Sequence, residues 1–384
     1  MESAWICAAK RTPFTRAGKG ALAAARPDDL LVGLFRDIFD GLPAGTHEAV
    51  DEVVVGCAYP EAEQGRNVAR AITLASGLPD RVPAMTLTRM CASSLEATAI
   101  ACAKVRLGEA SMVLVGGMES MSRIPTGGVK PSPNPAWLER RPEIYMTMGA
   151  TAERVAKQYR IARADQDAWA LRSHQRAAAA KARCHFSAEI VPVTVAAEGG
   201  PREVKEDDAL RPDSTLEKLA ALKPAFDADG TVTAGNACPT SDGASVLLVA
   251  SGARVAELGL APLGRFVSYA VAGVDPALMG VGPVEAVPKA LARAGLPLSQ
   301  IDRIELNEAF ASQVLAVMRA LGLPEERTNV NGGAIAIGHP LGATGARLVG
   351  TLLRELKRSG GRHGLATLCV GGGMGAAMVL ERAD

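Results

Sequence analysis

The chain has 384 residues, 48% of them hydrophobic and 22% charged, a globular composition with core enough for two or three domains. A formal net charge of +1 provides no global field to select nucleic acid or an anionic membrane, so an anionic partner must be held by local charges. Seven cysteines without a Cys-x-x-Cys pair support neither a disulfide framework nor a structural zinc site, and they fit a reducing compartment such as the cytoplasm. The first residues, MESAWICAAKRTPF, lack a basic start followed by an apolar stretch of signal-peptide length. No apolar run approaches the ~20 residues of a membrane span, so no membrane insertion is expected.

In chain order, short β-rich runs alternate with longer helical patterns, the texture of an α/β fold. The patterns predict a helix over 29–40, a strand over 51–57 and helices over 67–76 and 93–107. A strand over 111–115 follows, then helices over 149–159 and 165–183 and a strand over 245–250. A helix over 284–294, a strand over 301–306, a helix over 344–358 and strands over 364–370 and 376–380 complete the series.

Two stretches repeat one plan. VDEVVVGCA from Val50 leads through a helix to Gly77-Leu78-Pro79-Asp80, then Cys91 at the start of a helix, then SMVLVGGM from Ser111. IDRIELNEA from Ile301 leads through a helix to Gly322-Leu323-Pro324-Glu325, then a Gly-rich stretch opening a helix, then LATLCVGGGMG from Leu365. Strand, helix, Gly-Leu-Pro-acid, turn with helix, and strand with Gly-Gly recur at similar offsets, which argues for duplication of one α/β unit. The expected organisation is an N-terminal half over 1–119 plus about 242–258, an inserted loop domain over 120–241, and a C-terminal half over 259–384. Residues 125–142 are rich in Pro and Gly, and the charged stretch 198–211 reads as loop; long loops in compact enzymes usually carry binding function.

Four residues carry candidate chemistry. Cys91 stands where extended pattern becomes helical, and a helix N-terminus stabilises thiolate; the alternative is a small buried residue at a turn. Cys369 closes a strand before Gly371-Gly372-Gly373, whose backbone N–H groups can approach a ligand closely; the alternative is a core cysteine. His339 lies among glycines in NGGAIAIGHPLG, whereas His47, His174, His185 and His363 occupy ordinary polar contexts, and Cys184-His185 reads as surface. A cysteine–histidine pair makes and quenches a thiolate near neutral pH. Asn307 follows a strand at its C-terminal end, where open α/β sheets bind ligands, or else caps the next helix.

Together these pieces resemble the thiolase family from end to end. The resemblance includes Arg11-Thr12-Pro13-Phe14, Thr233-Ala234-Gly235-Asn236-Ala237, Ser241-Asp242-Gly243-Ala244, GGAIAIGHPLGATGAR and CVGGGMG, in that order. It implies a thiolase-like duplicated α/β unit in α-β-α-β-α layers with an inserted loop domain. By that resemblance Cys91 is the cysteine that becomes acylated, His339 the histidine that activates it, and Cys369 the acid/base at the acetyl-CoA α-carbon. Asn307 matches the asparagine that holds a catalytic water and, with the histidine, forms one oxyanion hole; the backbone N–H groups of Cys91 and Gly371 match the second. Arg211 matches a basic residue near the CoA phosphates, and Ala234, Phe226, Met148, Ala309 and Phe310 match positions along the pantetheine and acyl path, with core packing as the alternative for the apolar ones.

Cys238 stands where many relatives have a pantetheine-contacting serine. Thr147-Met148-Gly149 replaces the His-Met-Gly of short-chain biosynthetic relatives, which favours a degradative 3-ketoacyl-CoA thiolase over an acetoacetyl-CoA-specific enzyme. A decarboxylating ketoacyl synthase would pair one cysteine with two histidines, and Cys369 at the second position speaks against it. A Cys–His thioesterase would release free acid without CoA dependence, which incubation with and without CoA separates, and a non-catalytic acyl-CoA carrier has no use for two aligned cysteines. The expected partners are acyl-CoA and CoA, with CoA a substrate and no resident cofactor or metal, in a homodimer or homotetramer.

Overall fold

The computed structural model describes residues 2–197 and 199–384; Met1 and Glu198, the first residues of two stretches considered above, lie outside it. The main sheet runs in the order Arg303–Leu306, His363–Val370, Met374–Arg382, Gly264–Gly273, Ala4–Arg11, Ser241–Ser251, Met112–Ser120, Glu52–Cys57, Ala84–Leu87. Outward from its middle, each half repeats one plan. Ala4–Arg11 pairs antiparallel with Ser241–Ser251, which is antiparallel to Met112–Ser120; that strand is parallel to Glu52–Cys57, itself parallel to Ala84–Leu87. In the other half Gly264–Gly273, Met374–Arg382 and His363–Val370 pair antiparallel in turn, then Arg303–Leu306 joins in parallel and takes a parallel bridge at Thr328. The halves meet where Trp5 and Ile6 pair with Arg265 and Gly264.

Alternation along the strands sorts the core into layers. Val53, Val55, Leu114, Val246 and Leu248 face the outer helices Pro27–Asp37 and Val68–Ala75 through Leu31, Leu34, Phe35 and Ile72. Their neighbours Val54, Val113, Val115, Leu247 and Val249 face the opposite way, onto helices Ser93–Leu107 and Leu341–Ser359. The same two helices receive Ala366, Leu368, Val370 and Met378 of the second half, so they form a central layer between two half-sheets. Leu365, Ala377 and Val379 point away from it, onto helices Gly282–Ala294 and Ala311–Leu321. The result is α-β-α-β-α. Helices covered on both sides must be apolar nearly all round, and Ser93–Leu107 buries Leu95, Ala97, Ala99, Ala101, Cys102 and Val105.

Among the described residues, those between Met112–Ser120 and Ser241–Ser251 add no strand to this sheet. They carry helices Met148–Gln158 and Arg163–Ala182 and a separate hairpin, Val193–Ala197 with Gly200–Val204. The charged stretch expected as loop is therefore partly strand, an outer ribbon exposed over Gly200, Pro201, Arg202 and Glu203 and anchored by buried Val204. The Ala4–Arg11 strand was not singled out by pattern, since it ends in two cations. Arg11 is nonetheless buried, held by Glu189 at 2.8 Å and Asp207 at 2.6 Å. Among the described residues no helix is long and apolar enough to cross a membrane.

Candidate active site

Cys91 occupies a strained turn. Met90 before it adopts φ +45°, a left-handed conformation that costs a non-glycine residue energy. Ser93 braces the turn: its hydroxyl accepts the N–H of Arg89 at 2.9 Å and donates to the carbonyl of Met90 at 2.6 Å. The Ser93–Leu107 helix begins immediately afterwards, beneath Gly56, where a Cβ would overlap the Ser93 and Ser94 backbone. The thiol is buried. Burial pushes it up to about 11, opposed by the backbone N–H groups of Gly371 and of Cys91 itself, while Glu119 adds to the rise. At neutral pH it rests protonated and needs a base.

Cys369 ends the facing approach, near the close of strand His363–Val370, and is fully buried. Burial holds its thiol well above the ordinary value, and Cys91 and Cys238 raise it further, since a second negative charge in one pocket is disfavoured. Cys238 is raised likewise, by burial first and then by Cys91 and Glu308. Its backbone N–H donates to the carbonyl of Ala309 at 3.0 Å. Three thiols thus share one site. Cys369 packs with Ala309, Phe310, Ala237, Met279 and Met148. The Met148 sulfur lies 3.8 Å from where a Cβ on Gly371 would sit, beside Met90 at 3.6 Å.

His339 and Asn307 meet within the same interior. The Asn307 side-chain nitrogen lies 3.2 Å from His339 Nε2, and Thr344 Oγ1 lies 2.7 Å from Nδ1. Burial, then the nearby cation of Arg347, pushes the imidazole down to about 3, so it stands neutral and able to accept a proton. Asn307 does not cap the next helix: Ala311–Leu321 has Phe310 at its N-cap position, with no side-chain bond. Its backbone instead donates to Thr367 of the neighbouring strand at 2.9 Å, and its Oδ1 is buried without a partner.

Two buried carboxylates, absent from the sequence expectations, tie these turns down. Glu119 accepts from Gln64 Nε2 at 2.7 Å, Ala58 N at 2.8 Å and Gly342 N at 3.0 Å, joining the Cys91 side to the His339 loop. Glu308 accepts from Ser173 Oγ at 2.6 Å, Asn329 Nδ2 at 2.9 Å, Trp169 Nε1 at 3.1 Å and Ile335 N at 3.2 Å. Burial raises both above the ordinary carboxylate range, against the pull of these donors. The visible signal was an acid directly after strand-end residues in Gly-Gly-Met-Glu and Leu-Asn-Glu.

The remaining expected residues fall around the same interior. Phe226, half exposed, meets Phe310 edge-on at 5.9 Å and leans over Gly149, where a Cβ would overlap its ring. Arg211 and Ala234 line a cavity of about 190 Å³ with His174, Lys218, Ala237 and Pro239. Ala237 belongs both to that wall and to the Cys369 cluster, so cavity and thiols adjoin. Two histidines depart from the polar-surface expectation. His174 is buried, accepts the Arg211 N–H at 3.3 Å, and is pushed down to about 4 by burial and then Arg211. His185, expected at the surface, is half-buried and places Nδ1 2.8 Å from Asn331 Oδ1 at the start of the His339 loop.

The N-terminal domain of thiolase matches residues 4–253, and the C-terminal domain of thiolase matches residues 260–382. The chain belongs to the thiolase family. Thiolases are acyltransferases, and this chain is one. It is 50% identical to a 3-ketoacyl-CoA thiolase of Bacillus subtilis, over 99% of this chain and 100% of that one. It is 47% identical to a β-ketoadipyl-CoA thiolase of Pseudomonas putida, over the full length of both. The crystal structure of human mitochondrial 3-ketoacyl-CoA thiolase superposes with a TM-score of 0.91 at 38% identity, covering 100% of this thiolase and 99% of the human chain. The human enzyme in complex with CoA gives 0.90 at 38% identity, with 100% and 98% covered.

Proposed function

We propose that this thiolase cleaves 3-ketoacyl-CoA with CoA into acetyl-CoA and an acyl-CoA two carbons shorter, and runs the reverse condensation through the same intermediate. The observation that carries the reading is the shared pocket of Cys91 and Cys369, with the Gly371 N–H directed at the Cys91 sulfur and His339 against Asn307. Neutral His339 takes the Cys91 proton, and the sulfur attacks the 3-keto carbon. The backbone N–H groups of Cys91 and Gly371 receive the charge that develops on its oxygen. As the C2–C3 bond breaks, the enolate oxygen of departing acetyl-CoA faces His339 and the Asn307 water, and Cys369 protonates its α-carbon. A fresh CoA thiol then gives its proton to the Cys369 thiolate and attacks acyl-Cys91, and the departing Cys91 sulfur recovers its proton from His339, which restores the enzyme. One sulfur holding the acyl group cannot also move the second proton, which is why two are needed.

In this reading CoA is a substrate and no resident cofactor takes part. Residues 120–241 form the CoA-binding domain, with Arg211 toward the phosphates, where a guanidinium suits the anion. Ala234, Phe226, Met148, Ala309, Phe310 and Cys238 line the pantetheine and acyl path. A cytoplasmic setting suits the seven free cysteines. A homodimer or homotetramer would cover exposed Val129, Trp137, Leu138, Ile144 and Tyr145, an apolar group too concentrated for an idle surface.

The deciding experiment is a series of thiolysis rates across 3-ketoacyl-CoA chain lengths, with and without CoA. It includes a substrate ending in a carboxylate, as the Pseudomonas putida relative's name warrants. Free acid release without CoA, or no turnover of any 3-ketoacyl-CoA, would sink the proposal.

A further inference from the structure

We propose that Thr344 is a positioning residue that holds His339 in the tautomer protonated at Nδ1, leaving Nε2, on the Asn307 side of the ring, as the acceptor. This rests on the role of His339 in the reading above. The Thr344 hydroxyl has one proton and two neighbours, His339 Nδ1 at 2.7 Å and the carbonyl oxygen of Pro340 at 2.9 Å. Pro340 stands four residues earlier, and a threonine in a helix habitually donates to that carbonyl. With its proton so committed, Oγ1 offers His339 only a lone pair, and Nδ1 must carry the hydrogen of the bond.

The far side of the ring points the same way. The Asn307 amide nitrogen, a donor only, lies 3.2 Å from Nε2, so that nitrogen is the acceptor. The backbone N–H of His339 donates to Ser241 Oγ at 3.0 Å, and the hydroxyl of Ser241 in turn donates to Pro239 at 2.8 Å. Ring and main chain are thus fixed from three elements. Burial keeps the imidazole neutral, so the tautomer decides what it can do. The proton leaving the Cys91 sulfur has one ring nitrogen to go to, Nε2; the resulting Nε2–H donates toward the enolate oxygen and returns its proton to the Cys91 sulfur when that sulfur leaves the acyl group. Nδ1 keeps its hydrogen throughout, with Oγ1 accepting from a ring that is transiently charged.

Nitrogen-15 NMR of the enzyme labelled in its histidine rings, with His339 assigned through His339→Asn, should show Nδ1 protonated and Nε2 bare near neutral pH. Thr344→Val keeps the shape and removes the acceptor. It is expected to move the proton to Nε2 and lower kcat on the order of a hundredfold, the scale of a lost general base, with KM little changed. Thr344→Ser should restore the wild-type spectrum and most of kcat. A wild-type ring protonated at Nε2, or a folded Thr344→Val with wild-type kcat, would overturn the proposal. Mass spectrometry of wild type with acetyl-CoA separates this from the broader reading: an unlabelled Cys91 sinks both, whereas acetyl-Cys91 with an unaffected Thr344→Val sinks only the role of Thr344.

Discussion

The hydroxyl of Ser94 accepts the backbone N–H of Ala346 at 2.9 Å, so the two central helices are bonded to each other near their starting turns. One helix follows Cys91 and the other follows His339. Between them Gly345 lies against Leu95, leaving no room for a side chain. The spacing of the two turns is therefore set by backbone contact.

Gly345→Ala should force the helices apart, since the added carbon meets backbone rather than a movable side-chain tip. Overpacking of this kind costs about 1–3 kcal/mol. Denaturant unfolding is expected to show that loss together with slower acetylation of Cys91. An unchanged unfolding midpoint would mean the contact yields cheaply.

Cys91→Ala should abolish the acyl-enzyme. Mixing wild type with acetyl-CoA should place one acetyl group on Cys91 by peptide mass spectrometry. Labelling at Cys238 instead would reassign the nucleophile, because that thiol shares the pocket.

Cys369→Ala should still take an acetyl group from acetyl-CoA but form no carbon–carbon bond, since only the α-carbon proton transfer is lost. Thiolysis of a 3-ketoacyl-CoA at the wild-type rate by this variant would break the assignment.

Cys91 at about 11 and His339 at about 3 set the resting pair as thiol and neutral imidazole across the physiological range. Alkylation of Cys91 by iodoacetamide in the free enzyme should stay slow at neutral pH and climb about tenfold per pH unit, because only the thiolate reacts, with no plateau until about 11. Stability carries the opposite limb. The folded imidazoles of His339 and His174 have depressed values, so their contribution is complete above the ordinary histidine value of ~6.5 and is lost as pH falls toward about 4 and 3. The melting temperature should drop over that interval, and His339→Asn should soften the drop; an identical acid profile would contradict it.

Arg211→Ala should raise KM for CoA about tenfold, a loss of ~1.4 kcal/mol, while acetylation from a short pantetheine thioester stays near normal. Equal loss with both donors would place Arg211 elsewhere than at the phosphates.

The duplicated plan was legible because each half writes the same strand, Gly-Leu-Pro-acid and helix-opening turn in order, and the sheet repeats it in pairing sense as well as order. Cys91, His339, Cys369 and Asn307 stood out by glycine-rich turns at element ends. The inner strands Ala4–Arg11 and Gly264–Gly273 were missed. The first hides a buried arginine whose partners, Glu189 and Asp207, are far off in sequence; the second buries Ser268, Ala270 and Ala272, residues too small or polar to write a clear alternation. Glu119 and Glu308 could not be told from surface acids for a related reason. A lone acid after a strand reads as solvent-facing until Gln64 and Gly342, or Ser173 and Asn329, arrive from elsewhere.

Met148, Phe226 and Arg211 all come from the stretch that adds nothing to the layered sheets, whereas the sulfurs and the imidazole hang from the layers themselves. If the proposed roles hold, bond-making machinery and substrate grip are separately adjustable. On the proposed reading, exchanges within that stretch would retune which acyl chain is welcomed, while the spacing of Cys91 and His339 stays fixed by main chain that tolerates no added carbon.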